Sequence, residues 1–188
     1  MLASGLVVGP FIGYLATAQQ IFQDQYRLGK LLPIFFGLLA FSVGVASMVN
    51  AKLVMRFGMR TLSKWALRAS CLLSTGFLVV AWLAAGHPSL AAFMAYMLAC
   101  VFCSGLLFGN YNALAMEPMG HIAGVAAAVI GSVSNFAALA VGTPIGRAYD
   151  GTVTPLVASY ALLGLAALVV TEWAASRAPR RRRGTPGW

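Results

Sequence analysis

The charges of this chain fall in short clusters separated by long gaps. No Asp, Glu, Lys or Arg occurs in residues 1–23, 31–51, 69–116, 118–146 or 151–171. A helix crossing the hydrocarbon core of a bilayer needs about 20 mainly apolar residues. Each of these windows is long enough for one such helix. The longest, 69–116, is divided in two by Gly86-His87-Pro88-Ser89, a turn signal. The pattern predicts an all-α integral membrane protein with six transmembrane helices over residues 1–176, followed by a basic tail, 177–188. Composition agrees, with 9% charged residues against about 25% in soluble domains. Residues 1–23 lack the basic start and cleavage site of a signal peptide, so the first window is expected to be a span.

A net charge of +9 would suggest a nucleic-acid partner in a soluble protein, but here its placement points to topology. With the N-terminus inside, the inner segments hold Lys52, Arg56, Arg60, Lys64, Arg68, Arg177 and the run Arg180 to Arg183, while the outer turns hold Arg27, Lys30 and Arg147. That ten-to-three bias follows the positive-inside rule. It predicts a protein of the bacterial cytoplasmic membrane with both ends in the cytoplasm and no nucleic-acid partner. The arginine run is either a topology signal in a solvated tail or a contact for anionic lipid.

The helix between Glu117 and Arg147 carries Gly124, Gly131, Ser132, Ser134, Asn135, Gly142 and Gly146. Membrane helices rich in small residues are ones that other helices approach closely. The glycines are therefore read as packing positions, and the rest of the chain as a bundle around this helix. The first helix, about 4–22, is loosened by Gly5, Gly9, Pro10 and Gly13. Its Tyr14, Thr17 and Gln20, with Asp24 a turn later, share one face. Such a stripe is expected to face a cavity, because an unpaired amide in hydrocarbon costs several kcal/mol. Asp24 alone reads more simply as a solvated acid beside Arg27.

The second helix, about 31–55, continues the polar seam with Ser42, Ser47 and Asn50. The fourth, about 89–113, offers Met94, Met97, Phe102 and Phe108 with Gly105, Gly109, Asn110 and Asn112 toward its end. Its Met and Phe side chains either present an adaptable ligand surface or simply pack. The third helix, about 62–85, and the sixth, about 153–174, have few polar groups and tryptophans near their ends, as lipid-facing spans do.

The chain has no G-x-S-x-G elbow, metalloprotease helix or phosphate-binding loop, and its acids, Asp24, Glu117, Asp150 and Glu172, sit at helix ends. No enzyme activity, cofactor or metal is expected. Cys100 and Cys103 form C-x-x-C, but inside an apolar helix; with Cys71 they read as small buried hydrophobes.

Several motifs now take on meaning together. The turn Ala51-x-Leu53-x-Met55-Arg56-x-Gly58-x-Arg60 resembles the loop signature of the major facilitator superfamily, Gly-x-Leu-Ala-Asp-Arg-x-Gly-Arg-Lys, in its weaker second copy. Gly142-Thr143-Pro144-Ile145-Gly146 is similar to the glycine-proline helix end of its drug antiporters. The segment Ala115 to Gly124, with Met48-Val49-Asn50-Ala51 and Arg56-Phe57-Gly58, looks like the Bcr/CflA-type branch of multidrug efflux transporters. The resemblance implies the C-terminal six-helix half of a twelve-helix transporter. Helices one, two, four and five would line the path, and three and six would be peripheral. The implied activity is proton-coupled export of small amphipathic compounds by alternating access. Gln20, Asn50, Met97, Asn110 and Asn135 would line the pathway. Arg56, Gly58 and Arg60 would form a cytoplasmic gating turn, with Glu117 either their ion-pair partner or an acid favouring the start of helix five.

The superfamily's main loop signature and its proton-coupling acid belong to the other half, which is expected as a separate or fused partner or is replaced by a second copy. The alternative is a non-transporting subunit or a remnant without activity of its own.

Overall fold

A computed structural model describes residues 2–117 and 123–177. The helices are α1 Leu2–Gln20, α2 Leu32–Phe57, α3 Met59–Leu83, α4 Leu90–Met116, α5 Ala123–Arg147 and α6 Thr154–Arg177. All six are long and apolar enough to cross a membrane, and there is no strand among the described residues. Residues 118–122, which carry part of the Ala115–Gly124 motif, and the tail from 178 onward lie outside the described set.

The centre of the bundle is α4, not α5. Helix α4 packs against α1, α2, α3 and, less extensively, α5, and it buries bulky side chains around much of its circumference, among them Phe93, Met97, Val101 and Leu107. Helix α5 rests chiefly on α1 and buries one stripe, Ala126, Ile130, Ser134, Ala138 and Gly142, spaced by four residues. Small residues allow close approach to one neighbour. Helix α4 buries apolar bulk on several sides, whereas the bulky side chains of α5, among them Val125, Val129, Phe136 and Leu139, stay exposed.

The α1–α5 contact also corrects the reading of the α1 glycines as loosening elements. A Cβ on Gly5 would lie 2.9 Å from Cβ of Ala137, one on Gly9 2.7 Å from Cγ1 of Val141, and one on Gly13 2.6 Å from Cγ2 of Ile145. From the other side, a Cβ on Gly142 would meet Ile12 at 2.7 Å and one on Gly146 would meet Ala16 at 2.9 Å. The every-fourth-residue glycines form one ridge along α1, and α5 is seated on it. Gly124 and Gly131 face open space, so neither is a packing position among the described residues.

At the Asp24 end, α1 runs into a π-helical turn, Ile21–Gln25, which brings two successive side chains onto the α3–α4 turn. The Tyr26 hydroxyl donates to the Pro88 carbonyl at 2.9 Å, and the Gln25 amide donates to the Gly86 carbonyl at 3.1 Å. The Val153 N–H, just before α6, donates to the same Gly86 carbonyl at 3.2 Å. Gly86 is required twice over. Its φ is +82°, and a Cβ there would sit 2.5 Å from that of Thr152. Beside this junction an aromatic group fills the core, with Phe77 stacked on Tyr96 at 4.3 Å and Phe93 between Phe22 and Tyr26.

At the other end Gly58, at φ +78°, both caps α2, through its N–H to the Val54 carbonyl at 2.9 Å, and starts α3. The reversal is therefore a single residue.

Candidate functional site

A cleft of about 280 Å³ is lined by Val8, Phe11 and Ile12 of α1, Val43 and Ser47 of α2, Val101, Ser104, Gly105, Phe108 and Gly109 of α4, and Asn135 of α5. Four helices contribute, and α3 and α6 do not. The wall exists because three close approaches hold these helices together at its margins. The glycine ridge of α1 fixes α5. Ala46 of α2 abuts Gly105, where a Cβ would come within 3.0 Å of the alanine's. The Ser42 hydroxyl donates to the Leu98 carbonyl at 3.1 Å.

The surface is apolar and carries no charge. Its hydroxyls are largely occupied: Ser47 donates to the Val43 carbonyl at 3.2 Å and Ser104 to the Cys100 carbonyl at 2.9 Å. Asn135, an exposed amide, is the main polar handle. Phe11 and Phe108 supply ring faces. Such a surface holds greasy molecules by area and orients them with few polar contacts.

The sequence candidates scatter relative to this cleft. Asn135 lines it. Asn110 is buried and its amide donates to the Asn50 amide oxygen at 2.9 Å. Asn50 in turn lies 3.7 Å from where a Gly109 Cβ would stand, so the amide pair adjoins the cleft wall without being part of it. Met97 is fully buried among core residues and does not reach the cleft; Met94 is buried likewise, whereas Phe108 is 44% exposed and lines it. Gln20 is exposed beyond the cleft.

The supposed stripe on α1 is divided. Tyr14 and Thr17 turn into the protein, with Thr17 donating to its own helix at Gly13, 2.9 Å. Tyr14 touches only a narrow hollow beside the cleft, shared with Phe11, Val43 and Val101. The residues missed by sequence reasoning were Val8, Phe11, Ile12, Val43 and Val101. Nothing distinguishes such apolar side chains from lipid-facing ones before the helices are placed. Ser104 and Gly105, a small pair within a bulky helix, were the available signal.

At the Lys52 end, Glu117 lies 3.2 Å from Arg60, and Glu172 lies 2.9 Å from Arg68 and 3.9 Å from Lys64. The Arg56 guanidinium turns instead over the Phe57 ring, 5.3 Å from its centre. At the opposite end the Thr152 hydroxyl and N–H donate to Asp150 at 2.7 and 3.0 Å, holding that carboxyl below the usual carboxylate range. Burial pushes the Tyr26 hydroxyl up to about 12.

The three cysteines are buried and free. No cluster of three metal-ligating side chains occurs among the described residues. Compared with known families, curated proteins and solved structures, the chain finds no match in any of the three.

Proposed function

We propose that this chain is one half of a membrane transporter that exports small amphipathic molecules by alternating access, with its cleft as half of the substrate path. The observation that carries the reading is the division of labour among the helices. The cleft is built from α1, α2, α4 and α5 alone. Two of them, α2 and α5, are also the least buried spans, at 11% and 22%, while α3 and α6, outside the cleft, are more buried at 33% and 39%.

A self-contained bundle would bury its polar-bearing helices and expose its plain ones. Here Asn135, an amide, lies on a face that the described residues leave exposed. Polar side chains directed at hydrocarbon are costly, so a second half, from another chain or another copy, closes the cleft. Both ends lie in the cytoplasm, and the turn Arg56-Phe57-Gly58-Met59-Arg60 with Glu117 forms the inner gate. Proton coupling resides in the second half, since no acid lines this cleft.

Dye efflux from energised cells tests this reading. The chain would be expressed with and without a separately expressed N-terminal half of a major facilitator transporter, with a protonophore control and blotting for membrane insertion. Efflux that needs both halves, and that Gly109→Leu abolishes by filling the cleft, supports the reading. A chain present in the membrane yet inactive in both settings defeats it.

A further inference from the structure

We infer that the exposed stripe of α2 ending in Lys52 and Arg56 is a binding site for an anionic phospholipid. The charge inventory makes the case first. The chain has four side-chain carboxylates. Asp24 and Asp150 lie at the opposite end of the bundle. Glu117 is engaged by Arg60, and Glu172 by Arg68 and Lys64. Among the residues whose side chains are described, that leaves Lys52 and Arg56, both exposed, as the cations at this end of the bundle without an acid. They stand four residues apart, hence on one face of the helix, and a phosphate between them would meet both.

The stripe above them fits the rest of a lipid. Phe41 is 69% exposed, Met48 71% and Met55 87%. Spaced by seven residues, they share a face with the two cations. From Phe41 to Arg56 the stripe runs about 22 Å at 1.5 Å per residue, long enough for one leaflet's acyl chain, about half of a 30 Å core, plus a headgroup. Phe57, half exposed beneath the Arg56 guanidinium, holds that cation at the boundary where apolar surface ends. Cations placed so attract anionic lipid and not zwitterionic lipid.

The test uses the purified full chain in mixed micelles containing equal amounts of phosphatidylglycerol and phosphatidylcholine. After gel filtration, the lipid retained per protein is counted by native mass spectrometry. The wild type is expected to retain phosphatidylglycerol preferentially. The double variant Lys52→Gln/Arg56→Gln should lose that preference by about fivefold per charge removed. Lys52→Arg/Arg56→Lys, which keeps both charges, should retain it and so separates charge from folding.

A third variant replaces Arg180 to Arg183 by Gln and asks whether the tail is responsible. Equal retention of the two lipids by the wild type overturns the proposal. So does a preference that survives in the Gln double variant, or one that vanishes only with the tail arginines. A stripe that instead serves as the seat of a second copy or another protein would give the first of these results.

Discussion

The Glu117 carboxylate, just past the last turn of α4, lies 3.2 Å from the Arg60 guanidinium in the first turn of α3. The two are 57 residues apart in sequence and are brought together by the packing of α3 against α4. With side chains 76% and 56% exposed, the pair contributes little stability, about 0–1 kcal/mol, as exposed ion pairs do. It does tie the α4 end to the turn that the proposed gate requires.

Replacing Glu117 by Gln should therefore leave thermal unfolding within about 1 kcal/mol of wild type while lowering transport measured with a complementary half. Reversing the pair, Arg60→Glu with Glu117→Arg, should recover part of the loss. Full transport by Glu117→Gln would remove the gating role and leave the pair as surface decoration.

The glycine ridge makes a sharper structural prediction. Gly13→Leu forces side-chain atoms where Ile145 already sits. Overpacking of this kind costs about 1–3 kcal/mol, and the two helices would have to part. Gly131→Ala, where nothing lies within 4 Å, should be neutral or slightly stabilising, since alanine is the better helix former. Thermal unfolding in detergent compares the two, and similar losses in both would refute the assigned α1–α5 interface.

Tyr26 gives a pH prediction. Partial burial shifts its hydroxyl, which donates to the Pro88 carbonyl, from an ordinary value of 10.0 to about 12 on folding. A raised pKa contributes stability that is complete below pH 10 and is lost as pH climbs toward 12. The wild type should accordingly weaken across that range by a component that Tyr26→Phe, which has no such proton, does not share. Unfolding temperatures of the two should converge as pH rises past about 10. A difference that stays constant would place the tyrosine outside the junction.

The Asn50–Asn110 bond joins α2 to α4 beside the cleft. Measured in a double-mutant cycle with Ala at both sites, its coupling should be about 0.6 kcal/mol and no more than about 1.7, as for interhelical polar pairs in membranes. Zero coupling would mean that the two amides do not meet.

The comparison between sequence and structure is clearest helix by helix. The spans read from charge-free windows differ from the observed helices by three residues or fewer, where bounds were assigned. The cleft was legible only in outline. Asn135 could be singled out because an amide in an apolar helix needs a reason. Met97 could not be separated from Phe108, since both are apolar residues of α4 and only their neighbours differ: Met97 is enclosed within the core, and Phe108 looks into the opening. Gly9 and Gly131 are likewise the same residue in the same kind of helix, one pressed against Val141 and the other against nothing.

By itself, then, the sequence determined the six spans found among the described residues, the ends of most of them to within three residues, and which end of the bundle carries the basic charge. Partition between water and hydrocarbon acts on consecutive residues, so it is written along the chain. Tertiary structure alone decided that α4 is central, that α5 rides on α1, and which faces surround the cleft. Lipid and protein interior are equally apolar to a leucine or a methionine, so hydrophobicity cannot choose a helix's inner face. Shape complementarity chooses it, and that is a property of two helices together.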